Sequence, residues 1–366
     1  MFGIFISNSY SEIISLNWNF RFEKFQRVIM SWSSRMLDTV SLRVEVLRTF
    51  ALSRIYYVAS ILPLRKTMIK KFEAAIGKFI WKGRILRVAL EELKNDYACG
   101  GLKLPCLETM NRSLLSSQCL RLLKSGDIKS IAHIDYWMGP ILEDIVPTLG
   151  KGDVARDIPE YYMFMGECIA ALRMSELLSA SSFDRLTNRI IYKDLGDFPV
   201  PVIATNSACN YELTWRRLTL VRSMLSLHEF DCMFLLVHNK LPVPERLHRI
   251  GKRNTSDCLL CPGTVSDICH HFCSCLKTRG IWSWVKQIIG QLCDIRYCTE
   301  WDILNLLFPK NRNEKKIVWI LSSYVAYVWE HSSSAGELSF EKFFGFLTFK
   351  YRDTGLSMVG RVDTLH

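Results

Sequence analysis

At 366 residues, 49% of them hydrophobic and 23% charged, the chain has room for two or three proper cores and falls outside the disordered and fibrous classes. Its 13 cysteines are odd in number and scattered, which excludes a small secreted disulfide framework and reads as reduced intracellular thiols, cytoplasmic or nuclear, a few of them on a metal. The net charge is +11, and between Arg21 and Lys103 there are 17 basic residues against 7 acidic ones, so the surplus is local and implies a polyanionic partner, nucleic acid ahead of anionic lipid.

In chain order, the apolar run Phe2 to Ile6 predicts a short strand. It lacks the charged start and small-residue cleavage site of a secretory signal. Phe22, Phe25, Ile29, Trp32 and Leu37 recur near every 3.6 residues and predict a helix over 19–37; a second follows over 42–62, stopped by Pro63. The clearest pattern lies over 67–82. At about 100° per residue, Phe79, Phe72, Ile76, Ile69 and Ile80 share one arc of a helix, while Lys71, Lys78 and Lys82 share another. One side packs and the other presents ammonium groups. With Arg84 and Arg87 just beyond, these lysines are the candidate contacts to a phosphate backbone; the plainer alternative is a solvated face without a ligand.

Gly100-Gly101-Leu102-Lys103-Leu104-Pro105 reads as a turn into an extended segment. It lacks the Lys-Ser or Lys-Thr ending of a nucleotide-binding loop, so no phosphate cradle is expected there. Helical spacing resumes over 110–123. A loop is expected over 147–159, a helix over 160–193, and a linker with the main domain boundary over 193–210. Trp215 to His238 reads as one helix, ended by Pro242 and Pro244. The later run Ile317 to Trp329 is far short of the roughly 20 apolar residues that cross a bilayer, and reads as a buried helix, so no membrane is expected. The tail over 353–366 is expected to be loose.

The chemistry concentrates between 258 and 275, where Cys258, Cys261, His270 and Cys275 have the spacing C-x2-C-x8-H-x4-C. Two thiolates two residues apart can grip one ion from a tight turn, and a His and a Cys four apart can complete a tetrahedron from the next helical turn; sulfur and imidazole donors suit zinc. Cys269, His271 and Cys273 are each close enough to replace a partner. A cysteine-rich loop without metal is the plain alternative. Arg246, His248, Arg249, Lys252 and Arg253 lead into this motif, and Trp282 and Trp284 follow it on an expected helix. These tryptophans could stack on unpaired bases, though the apolar periodicity around them favours the core. A thiol hydrolase is set aside, because these cysteines are better explained as ligands.

Several pieces of the chain, in order, resemble the C-terminal half of the reverse transcriptases of LINE-type, non-LTR retrotransposons. They are Phe2-Gly3-Ile4, Trp32-x-x-Arg35-x-Leu37, Tyr57, Leu62-Pro63, Phe79-Ile80-Trp81 and Gly100-Gly101-Leu102-x-Leu104-Pro105. After a gap come His238-Asn239-Lys240-Leu241-Pro242, Arg246-Leu247, then Cys258, Cys261, His270, Phe272, Cys275 and Trp282. The similarity covers roughly 1–125 and 213–285. It implies a mainly α fold: a thumb-like basic helical region over 1–125, a helical connecting region and linker over 126–205, and a C-terminal helical domain with a zinc knuckle over 206–366. It further implies that the basic region grips RNA or an RNA/DNA duplex, that the knuckle engages RNA or target DNA, and that the chain associates with an intact element polymerase.

Two departures qualify the resemblance. That family's polymerase site holds two metal ions on carboxylates that include a Tyr- or Phe-Ala-Asp-Asp motif, and this chain has no adjacent Asp pair. Nucleotide addition by this polypeptide alone is therefore not expected, and the palm and endonuclease would lie upstream of Met1, as in a truncated copy. The family's Gly-Arg in the thumb is also replaced, near Leu42-Arg43. The competing expectation is a zinc-stabilised scaffold or element relic with no nucleic-acid role.

Overall fold

The computed structural model describes residues 3–82, 88–143, 146, 148–172, 187–196, 211–258, 261, 263–332 and 338–354. The fold is mainly α, as the apolar periodicities require, and no strand occurs among the described residues beyond one antiparallel bridge between Asp257 and Val265. The chain divides into two units. The first comprises Met1–Leu37, Leu42–Leu86 and Leu104–Pro199; the second comprises Asp38–Ser41, Arg87–Lys103 and Val200–His366.

The early helices are α1 (Tyr10–Ser33), α2 (Val40–Val46), α3 (Tyr56–Ala59) and α4 (Lys66–Ile80). In the first unit, α4 buries Met68, Ile69, Phe72, Ile76, Phe79 and Ile80, the arc read from periodicity. Phe72 is the pivot. Its ring meets Trp18, Phe22 and Phe25 of α1 edge-on at 6.3, 5.0 and 5.0 Å, so one aromatic side chain locks two helices together. Lys82 lies beyond the helix end, in the left-handed region (φ 51°), rather than on a helix running to 82. Arg43 is buried and donates from its guanidinium to the carbonyls of Leu37 and Ile80, satisfying the C-terminal end of α4 that the helix itself leaves open.

Two other expectations in this region are corrected. Gly3 to Ile6 form no strand: the backbone of Phe5 is paired instead with the side-chain amide of Asn17, which accepts its N–H at 3.0 Å and donates to its carbonyl at 2.9 Å. A single helical Asn thus takes the place of a neighbouring strand; Phe2 lies outside the described residues. The helix expected over 42–62 is broken into α2, a widened turn Leu47–Ala51, a tight turn Leu52–Arg54 and α3. Leu47, Ala51, Leu52 and Ile55 stay buried to 1% exposure or less through this change of pitch. Asn111 clamps the following proline break, donating to Ala59 and Leu62 carbonyls and accepting the Leu64 N–H.

The rest of the first unit is built from α6 (Leu107–Lys124), α7 (Ile128–Leu142), α8 (Glu160–Ala170) and α9 (Asn188–Leu195), the short α5 (Leu90–Lys94) belonging to the second unit. Leu115, Cys119, Ile134, Met138, Leu142, Ile169 and Ile191 form their shared core. Of the single helix expected over 160–193, the described residues form α8 and α9 with a break after Ala170, and α9 runs through the start of the expected linker. Residues 197–210 lie outside the described set.

The second unit also contains α10 (Tyr211–Val221), α11 (Leu227–Val237), α12 (Pro244–Arg249), α13 (Arg279–Leu292), α14 (Glu300–Leu304), α15 (Glu314–Ser332) and α16 (Phe340–Thr354). The helix expected from Trp215 to His238 is interrupted: Ser226 and Glu229 form a reciprocal capping box that starts α11 afresh. α15 is the centre of this unit, buried continuously from Ile317 to Val328. Glu229 joins three elements, accepting from Ser226, from Ser323 on α15 and from Lys350 on α16. Arg217, 1% exposed, donates to the carbonyls of Leu306 and Phe308 and pairs with Glu314 at 2.8 Å. The expected loose tail is helical to Thr354, and the residues beyond lie outside the described set. No helix among the described residues is long and apolar enough to cross a membrane.

Candidate metal centre and basic cleft

The candidate metal-binding motif begins as a small hairpin. Next to the Asp257–Val265 bridge, the Cys258 N–H donates to the Thr264 carbonyl at 2.9 Å, and the Ser266 N–H donates to Ser256 at 2.9 Å. The Thr264 N–H closes the tip onto the Cys261 carbonyl at 3.1 Å, with Gly263 at φ 78°, a backbone region glycine enters without steric cost. The second half is a widened turn, His270–Ser274. Asp267 starts it by accepting the His270 N–H at 2.6 Å, and the Cys275 N–H ends it on the His270 carbonyl at 2.8 Å.

These two turns bring the donor atoms of Cys258, Cys261, His270 and Cys275 within 4.8 Å of one another, so the four side chains could hold a metal ion. The Cys275 sulfur lies 3.7 Å from that of Cys258 and 4.0 Å from that of Cys261. Sulfurs at the corners of a tetrahedron with metal–sulfur bonds of about 2.3 Å would be roughly 3.8 Å apart. Burial pushes the Cys275 thiol up, to about 11, and the neighbouring sulfurs push the same way. A cation at their centre would hold these sulfurs as thiolates. His270 is buried, its Nδ1 lies 3.5 Å from the Ser274 hydroxyl, and its Nε2 has no hydrogen-bond partner among the described residues. A buried ring nitrogen without a partner is costly unless something accepts its lone pair, as a metal would.

The alternatives Cys269, His271 and Cys273 fall outside this group. Burial pushes the Cys269 thiol up to about 11 and the Cys273 thiol higher still. His271 packs instead against Trp329 and Phe272 at 5.7 and 4.9 Å, and burial holds it down at about 4.

The centre is tied to the core of its unit. Phe272, fully buried in the second turn, offers its carbonyl to the hydroxyl of Tyr324 on α15. Trp282 packs 5.5 Å from Tyr324 and donates to Glu300 at 3.0 Å; Trp284 packs among Phe340, Phe343 and Phe344. Both tryptophans are therefore packing residues rather than stacking platforms. Helix α12 sits beside the hairpin through the Glu245 N–H on the Ser266 carbonyl, and exposes His248 and Arg249, with Lys252 just beyond.

Gly100 and Gly101 turn under this same unit. A side chain at Gly101 would fall 1.9 Å from the Asn95 carbonyl, and one at Gly100 would strike the ring of Trp215. The Gly100 carbonyl is held at 2.8 Å by His238, whose ring packs against Trp215 and Phe234 at 4.7 and 4.5 Å. The turn is a packing device.

In the first unit, Lys71, Lys78 and Lys82 are exposed and line one cleft of about 700 Å³ between α1 and α4. Phe22, Ile29, Trp32, Leu37 and Phe79 form its apolar part, and Arg35 and Arg43 add further cationic lining; among the described residues no acidic one lines it. Arg35 lies over the Trp32 ring at 4.2 Å, and Trp32 stacks on Phe50 at 4.8 Å. Arg84 and Arg87 lie outside the described residues. Sequence reasoning passed over Arg35 as a contact, although its spacing of three from Trp32 at the end of an amphipathic stretch was visible. It also missed Asp267, whose place three residues before His270 is a capping signature, and Tyr324, for which no local signal exists.

No protein-family model and no curated protein matches the chain.

Proposed function

We propose that this chain is a zinc-stabilised nucleic-acid-binding protein, related to the thumb, connecting and knuckle regions of LINE-type reverse transcriptases and not itself a polymerase. The observation that carries the reading is the lining of the first unit's cleft, which gathers Arg35, Lys71, Lys78 and Lys82 with no acidic residue among the described lining residues. A lysine-faced helix of this kind suits RNA or an RNA/DNA duplex, whose wide, shallow minor groove is met mainly through backbone and 2′-hydroxyl contacts. Zinc is the metal that best fits three sulfurs and an imidazole nitrogen at near-tetrahedral spacing. Cys258, Cys261, Cys275 and His270 would hold it, supplying fold energy rather than chemistry.

The test is a binding titration of an RNA/DNA duplex over a range of salt. If the three lysines each meet a phosphate, at about −0.9 per contact, the log of the affinity falls with the log of salt concentration with a slope of about −2 to −3. The triple variant Lys71→Glu, Lys78→Glu, Lys82→Glu weakens binding and flattens the slope. A wild-type affinity indifferent to salt contradicts the reading.

A second reading, a metal-held scaffold with no nucleic-acid role, is favoured by the bond from Tyr324 to the Phe272 carbonyl, which ties the metal motif to the core. Equal RNA affinity of the triple variant and the unmodified chain would select it.

A further inference from the structure

We infer that the cleft between α1 and α4 accepts unpaired bases of a single strand, so that the first unit grips strand ends or gaps and not only duplex backbone. This rests on the nucleic-acid reading and deepens it. Contact with phosphates alone asks only for exposed cations. Here the cations rim a concavity of about 700 Å³ whose remaining lining is largely apolar and aromatic. The size falls within the range of about 300 to 1,000 Å³ typical of ligand sites.

Two classes of group thus meet in one place. Lys71 and Lys78, exposed on α4, offer ammonium groups to phosphates. The exposed guanidinium of Arg35, resting on Trp32, offers a flat cationic surface of the kind on which splayed bases stack. Ala74 and Ala75 lie between Lys71 and Lys78 on α4, and their short side chains leave the cleft open where bulkier residues would close it. A single strand is the polyanion that carries its planar apolar groups unprotected, with the negative charge alongside; a duplex hides them in its stack. An acidic peptide with aromatic anchors is the competing occupant, and the mixture of flat groups with cations favours the strand.

The experiment uses the full chain and two single-stranded probes of equal length and charge, an oligoadenylate and the same sugar–phosphate strand without bases. The unmodified protein binds the base-bearing strand about tenfold more tightly, as one stacked base would give. Ala74→Trp fills the cleft while keeping every cation; it loses that preference and retains its affinity for the baseless strand. Arg35→Lys, which keeps the charge and removes the plane, reduces the preference and serves if Ala74→Trp does not fold, folding being judged by thermal melting.

Equal binding of both strands by the unmodified chain overturns the inference while leaving the nucleic-acid reading standing. So does a preference that survives in the folded variants, because the bases are then read elsewhere. Failure to bind either strand or a duplex overturns both. A glutamate–tyrosine copolymer that displaces the base-bearing strand at equal charge concentration overturns it in favour of an acidic protein partner.

Discussion

His238 shows how one side chain can join distant parts of a sequence. It is 4% exposed, accepts no water-facing role, and links the Gly100 carbonyl to an aromatic pair on α10 and α11. Burial lowers its pKa from 6.5 to about 4, outweighing the opposing pull of its bond to Gly100. The folded chain therefore refuses a proton that the unfolded chain takes up as pH falls below about 6.5. Stability contributed by neutral His238 is present above that pH and is lost progressively as pH falls from about 6.5 to 4, by roughly 2 to 3 kcal/mol in all. Comparing denaturant unfolding of the unmodified chain and His238→Gln across this window isolates the effect, since other groups titrate in both. The variant is expected to have the shallower slope, and parallel slopes would show that His238 carries no such burden. The same residue marks a limit of sequence reading: its neighbourhood in Asn239-Lys240-Leu241-Pro242 gives no sign that its partner is a glycine 138 positions earlier.

At the scale of elements, α4 was the most legible because its apolar and basic residues separate at helical period, and the buried set follows that arc. The two faces should differ sharply on mutation. Phe72→Ala empties a fully buried site among Trp18, Phe22 and Phe25 and is expected to cost about 3 to 5 kcal/mol of unfolding free energy. Lys71→Ala, on the exposed face, should stay within about 0.5 kcal/mol. Chemical denaturation of the two variants measures both, and similar losses would contradict the placement of the faces. Helix breaks were less legible. The widened turn at Leu47–Ala51 interrupts a stretch whose apolar spacing looks continuous, because the change in pitch serves packing partners on other elements. The break before α11 was readable in principle, since Ser226 and Glu229 have the spacing of a capping box. In the metal motif, spacing identified the four donors, but choosing among His270, His271, Cys269 and Cys273 required knowing which way a widened turn points. The apolar run before α1 misled because a lone Asn on a neighbouring helix satisfied its backbone.

Across the whole molecule, the two units carry different parts of the proposed function. The first holds the cationic cleft and an aromatic helix pair; the second holds the four candidate metal donors on turns anchored to the buried α15 through Phe272 and Tyr324. Because those donors come from two turns with little regular structure of their own, a bound ion would supply cross-linking that a single bridge and a few backbone bonds do not. Chelation should therefore lower the melting temperature of the full chain, and adding zinc back should restore it. The most direct measurement is elemental analysis of the purified chain beside its Cys258→Ser and Cys275→Ser variants. The account predicts close to one zinc per chain in the unmodified protein and loss of that zinc in both variants; an unmodified chain that is folded and free of metal, or variants that keep their zinc, would contradict it.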